Sequence, residues 1–167
     1  GGGGGGRGGG GERGGFGELG GGREDRFETF QSLGFRYLGL SIRARGALRL
    51  RSAGVRERLH PREAGPFFEC SDPVLNQIWS VGRRSVDLNS HDAYLDCPTR
   101  EQRAWTGDMV VHQMVDFATH PDWRLACWNV ELCASPRPDG MLPMAAAGDF
   151  EHHDISFIPD WALPWVR

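Results

Sequence analysis

The sequence predicts a mainly α-helical fold, entered from a short β segment and led by a low-complexity tail. Three observations carry this. The apolar residues alternate through residues 35 to 51 and then switch to helical spacing after residue 70. Helix-start chemistry, Ser71-Asp72-Pro73, sits at the switch. The leader, residues 1–25, is rich in Gly with scattered Arg, Glu and Asp, and Phe16 and Leu19 are its only large apolar side chains. Such a segment buries too little apolar surface to offset its backbone entropy, so disorder is expected there.

Residues 26–60 contain "FQSLGFRYLGLSIRARGALRLR". Phe35, Tyr37 and Gly39 alternate with Arg36, Leu38, Leu40 and Ile42, and Leu48 and Leu50 alternate with Arg49 and Arg51. That pattern reads as strands, with Gly46 as a turn. Two strands do not fold alone, so the segment is expected to be the end of a β domain. A linker is expected near residues 60–68. Three or four helices follow. The first starts at Ser71 or Asp72, with Leu75, Ile78, Trp79 and Val86 as its apolar stripe. The second carries Val111, Met114, Val115 and Ala118, and the third Trp123, Cys127, Val130 and Ala134. "SPRPDGMLP" is a turn region. "ISFIPDWALPWVR" opens one more helix, with Asp160 as a candidate cap. These helices are too few to cover all their apolar faces, which points to a fragment of a longer protein.

The net charge is -3, which gives no reason to expect a polyanionic partner. All 19 basic residues are Arg, a feature of coding composition more than of function. Cys70, Cys97, Cys127 and Cys133 form no CxxC pair, which argues against a zinc ribbon or redox dithiol. Buried free thiols are expected, with partial disulfide bonding as the alternative. No apolar run approaches the ~20 residues that span a bilayer, and no signal peptide is visible. Neither a membrane nor a nucleic-acid partner is expected, and location stays open with a lean to the cytoplasm.

The chemistry concentrates in "DCPTREQRAWTGD", residues 96–108. Asp96, Glu101 and Asp108 share this stretch with Arg100, Arg103 and Trp105. Carboxylates cluster to bind metals, to move protons or to hold polyhydroxylated ligands. The calcium-loop pattern is absent and the arginines repel cations, so no metal is expected. Glycoside hydrolysis uses two carboxyl groups about the scissile bond, and Asp, Arg and Trp are the residue types that hold sugars. If residues 99–108 are helical, Glu101, Trp105 and Asp108 share one face, with Thr99 and Gln102 as a capping box. Gly107 weakens that helix, which then starts near Thr106. A structural Arg–carboxylate network that staples a loop accounts equally well for the spacing.

The stretch resembles the signature of the α-L-rhamnosidases of glycoside hydrolase family 78, in its shorter form DCPTREQR-x-W-x-GD. "FQSLGFRYLGL", "GPFFECSDPVLNQIWSVGRRSVDLNS", "PDGMLP" and "FIPDWALPWV" resemble further segments of that family in the same order, covering about residues 27–167. The resemblance implies an (α/α)6 six-hairpin barrel for residues 61–167, in truncated form, preceded over 26–60 by the last strands of a β-sandwich. It implies cleavage of terminal α-L-rhamnosides with inversion and no cofactor. Glu101 corresponds to the general acid. Asp96, Arg100 and Asp108 correspond to residues that hold rhamnose hydroxyls, and Trp105 and Trp161 to the sugar pocket.

Two departures stand out. Glu131, Glu151 and Asp154 lack the context of the family's general base, so the base is expected beyond Arg167 and the fragment is expected to be inactive alone. Gln102 stands where longer-motif members carry a second acid. A general acid also needs a raised pKa: Asp96 and Asp108 would raise that of Glu101, while Arg100 and Arg103 would lower it. "EHHD", residues 151–154, reads as a solvated loop, His112 as a satisfied helix residue, Asp87 and Asp92 as surface or cap residues, and Trp79, Trp123 and Trp128 as core. The rivals are a catalytically inactive carbohydrate-binding relative, a six-hairpin glycosidase for another sugar, and an RNA-binding tail using the RGG triplets at 7–9 and 13–15.

Overall fold

The computed structural model describes residues 24–29, 31–134, 139–145 and 158–165. Residues 1–23, which hold most of the expected Gly-rich disordered segment and the RGG triplets, lie outside the described residues, as do Glu151 and "EHHD". Four helices are described: α1 Pro73–Leu88, α2 Thr106–Thr119, α3 Arg124–Cys133 and α4 Pro159–Trp165. α2 is the centre of the arrangement and packs against each of the other three.

α1 begins where the sequence places it. Asp72 is the N-cap, its side chain accepting the Val74 N–H at 2.8 Å, and Pro73 opens the first turn. α2 begins at Thr106, so residues 99–104 are not helical and no Thr99–Gln102 capping box forms. The cause is local. Asp96 Oδ1 accepts the Arg103 N–H at 2.8 Å, the Asp96 N–H donates to the Arg103 carbonyl at 2.8 Å, and Gln102 takes φ 53. That closed loop leaves no helical turn before Trp105. Asp160 falls inside the first turn of α4 rather than before it.

The strands expected across residues 35–51 do not form: this segment joins no β ladder among the described residues. Tyr37, Leu38, Leu40, Leu48 and Leu50 are exposed. A pair of short strands without a third strand or a covering helix lacks the buried face that stabilises a sheet.

The core joins Val86, Tyr94, Met109, Leu125, Ala126 and Cys133, with Ala104, Val110, Val115 and Leu132 packed around it. This face differs from the expected stripes. Val111 and Met114 on α2 are 64 % and 70 % exposed, and Trp123 and Trp128 are about half exposed, at 51 % and 50 %. The buried face carries polar residues instead. Asn129 receives the Tyr94 N–H at 2.8 Å, and Thr106 donates through Oγ1 to the Pro143 carbonyl at 2.8 Å. A hydropathy pattern scores these positions as outward, but a polar side chain with a partner inside the protein is buried at little cost. On α1, Val86 is buried and Trp79 stacks on Phe68 at 5.2 Å, while Leu75 and Ile78 are exposed. All four cysteines are free, with Cys133 buried, Cys70 and Cys97 half-buried and Cys127 exposed.

The segment read as a linker is docked. The His60 N–H donates to the Ser90 carbonyl at 3.0 Å. Arg62, only 5 % exposed, pairs with the fully buried Asp116 and donates to Ser90 Oγ at 2.6 Å. Tyr94 donates its hydroxyl to the same Asp116 carboxylate, and His120 Nδ1 lies 2.8 Å from it. His120 Nε2 faces Asp87 at 3.2 Å, so Asp87 is tied into this cluster, whereas Asp92 is exposed. Burial, reinforced by the Arg62 charge, lowers the His120 pKa below 6.5 despite the two carboxylates. Burial and the bond to Asp116 push the Tyr94 phenol far up.

Candidate active site

The loop of residues 96–104 delivers Glu101 to the N-terminal end of α2. Glu101 Oε1 pairs with Arg100, and Oε2 accepts the Trp105 indole N–H at 2.6 Å. Trp105 in turn meets Trp161 edge to face, with ring centroids 5.7 Å apart and planes at 74°. Four of the six expected site residues, Arg100, Glu101, Trp105 and Trp161, therefore form one continuous chain of contacts, although residue 161 lies on a separate helix. His112 stacks on Tyr94 and bonds through Nδ1 to the Asp108 carbonyl at 2.8 Å, a satisfied helix residue as expected.

Asp96 is committed partly to structure, since its Oδ1 holds the Arg103 amide. Asp108 lies in the first turn of α2 and is linked to the other acids through its field. Its pKa is raised, first by burial and then by the negative charges of Asp96 and, more weakly, Glu101. The three carboxylates thus share one electrostatic neighbourhood.

The competition over Glu101 goes to the cations. The Arg100 bond and then the Trp105 indole hold its carboxyl below the ordinary carboxylate range, outweighing the opposing burial. The Glu101 side chain is 30 % exposed and that of Arg100 81 %. Asp108 is the carboxyl whose environment favours the neutral form.

Sequence reasoning missed what supports this geometry. At Gly107, a Cβ would sit 2.5 Å from atoms of the Trp161 indole, so only glycine lets that ring lie on the first turn of α2. The segment after the Pro/Gly turn returns to the same spot. Met144 accepts the Thr106 N–H at 2.9 Å, and Trp105 forms a single antiparallel bridge with Ala145. Gln102 donates through Nε2 to the Ser32 carbonyl at 2.7 Å and to the Pro98 carbonyl at 2.9 Å. Among the described residues, no group of His, Cys, Asp and Glu forms a metal cluster.

Helices packed about α2, with a carboxylate, a guanidinium and an indole gathered at its N-terminal end, define the class as a helical domain with a candidate site at the start of α2. Residues 63–167, more than half of the chain, match the family described as the bacterial α-L-rhamnosidase six-hairpin glycosidase domain, and the chain belongs to that family. An α-L-rhamnosidase of Formosa agariphila is 34 % identical over 59 residues, which is 35 % of this chain and 6 % of that protein. The solved structure of a GH78 family rhamnosidase of Bacillus sp. GL1 superposes with a TM-score of 0.52 at 26 % identity, covering 65 % of this chain and 11 % of that one. The chain thus spans a small part of the length of these relatives. The mainly helical architecture is a portion of a six-hairpin helical barrel.

Proposed function

We propose that this segment supplies the acid half of an inverting α-L-rhamnosidase site, with Glu101 as the general acid. One observation carries the reading: the Glu101 carboxyl stands at the end of α2 between Arg100 and the Trp105–Trp161 pair. An acid, a hydroxyl-binding cation and two indole surfaces are thereby gathered at one point. In this reading Trp105 and Trp161 line the sugar pocket, and Arg100, Asp96 and Asp108 hold rhamnose hydroxyls. Glu101 gives its proton to the glycosidic oxygen as the C1–O bond breaks. Water attacks C1 from the opposite face and passes its proton to a base ~6.5–9.5 Å from the acid. In this reading that base is missing from these 167 residues. The products are free rhamnose and the alcohol of the aglycone.

A general acid must carry a proton, and here Arg100 holds Glu101 ionised. The reading therefore requires Arg100 to turn from Glu101 to a sugar hydroxyl when substrate binds. Its exposure leaves it room to do so, and losing that bond while the sugar excludes water raises the acid's pKa. The domain division, with a β-sandwich end over 26–60 and catalytic domain from 61, is supported by the alternation in 35–51 and by a family match that starts at residue 63.

The same lowered pKa favours a second reading, a carbohydrate-binding relative that does not hydrolyse. One experiment separates them. The full-length enzyme is assayed on phenyl α-L-rhamnoside with and without Glu101→Gln. A loss of kcat on the order of 10²- to 10⁴-fold is expected. Unchanged kcat removes Glu101 as the acid, and rhamnose binding without turnover by the unmutated protein selects the binding module.

A further inference from the structure

We infer that Gln102 is a positioning residue that, gripping the Ser32 carbonyl, clamps the loop bearing Glu101 and sets that carboxyl against the leaving-group oxygen. The inference rests on the rhamnosidase reading and names the support of its acid. Gln102 has φ 53, a left-handed conformation uncommon for a residue with a β-carbon, so the surroundings must hold it there. Its Nε2 donates to both the Ser32 and the Pro98 carbonyls, at 2.7 and 2.9 Å. The Pro98 carbonyl also accepts the Gly34 N–H at 2.9 Å. The approach at Gly34 is so close that a Cβ there would lie 2.8 Å from Pro98 atoms. Two bonds thus tie residues 32–34 to residues 98–102, a third closes the loop from Gln102 to Pro98, and Glu101 is the residue directly before the tethered one. On its other side, the Glu101 N–H points to Cys97 Sγ at 3.4 Å, and the Arg103 N–H is held by Asp96 at 2.8 Å.

The clamp partner lies upstream of the family match at residues 63–167, so the acid's placement depends on chain outside the hairpin domain. A glutamate at position 102 has no N–H to give and cannot make the two bonds to carbonyls. Members with a second acid there must hold this loop differently.

The test uses the full-length enzyme, with Gln102→Met to remove the donors at similar size and Gly34→Ala to wedge the clamp from its other side. Two substrates are compared. Phenyl α-L-rhamnoside needs a proton on its leaving group, and 2,4-dinitrophenyl α-L-rhamnoside does not. A misplaced acid lowers kcat on the first by on the order of 10- to 100-fold and leaves the second within about twofold, with little change in KM. Equal losses on both substrates, or no loss, overturn the inference. Hydrogen exchange of the Glu101 and Arg103 amides in the full-length enzyme provides a readout independent of turnover. Exchange is expected to speed up in both variants, and unchanged protection also overturns the clamp. If the unmutated enzyme cleaves neither substrate, the rhamnosidase reading fails and the exchange result alone decides whether the clamp exists.

Discussion

Replacing Gly107 by alanine tests the seat of the proposed sugar pocket, because two effects of opposite sign compete there. Alanine favours helix over glycine by about 1 kcal/mol in a helix interior, and by less in a first turn. Against this, the new Cβ would stand 2.5 Å from the Trp161 indole, where ordinary contact is 3.4–4 Å. The ring must retreat by roughly 1 Å, and overpacking of this kind costs about 1–3 kcal/mol. If the ring swings off instead, its edge contact with Trp105 is lost, worth about 0.5–1.5 kcal/mol. Steric cost therefore exceeds propensity, with a net loss of about 1–2 kcal/mol. For a folded unit of roughly 100 residues that is a fall in Tm on the order of 5–10 °C. Thermal unfolding followed by circular dichroism, with indole fluorescence as a second probe, measures it. A Tm equal to or above that of the parent chain would refute the reasoning, because propensity would then outweigh a clash that Trp161 had avoided.

Two further outcomes follow from the buried cluster. Asp116→Ala leaves the Arg62 guanidinium, 5 % exposed, without its carboxylate. The expected loss is about 3–5 kcal/mol in a urea titration, and a loss under about 1 kcal/mol would show that Arg62 reaches water. His120 binds its proton less readily in the folded chain than its ordinary 6.5 allows. Above pH 6.5 it is neutral in both states and its full contribution is present. As pH falls below 6.5 the unfolded chain takes up the proton first, so stability drops toward the lowered folded pKa. Denaturation midpoints from pH 8 to 5 should show this slope, and His120→Gln should flatten it.

The candidate site was legible because its chemistry is contiguous. Thirteen residues, 96–108, contain five of the six expected site residues, and a closed loop followed by a helix start keeps them together. The start of α1 was equally plain, since Asp72 and Pro73 act on neighbours in sequence. The buried faces of α2 and α3 were not legible. Their inward positions include Asp116, Thr106 and Asn129, each bonded to a residue far along the chain. The fate of the Glu101 proton was also open, because a string of letters does not say whether Arg100 or Asp108 stands closer to the carboxyl.

Sequence by itself determined what depends on near neighbours: the helical class, a cap at Ser71 or Asp72, the charge cluster of 96–108 and the family resemblance it carries. Tertiary structure alone decided what depends on meetings across the chain. It set Trp161 on Gly107, brought Gln102 to Ser32, sealed Arg62 against Asp116, and left Arg100 rather than Asp108 in command of Glu101. The physical reason is range. Caps and turns are settled within a few bonds, whereas burial and the balance of charges are settled by whichever distant groups the fold brings within a few ångströms.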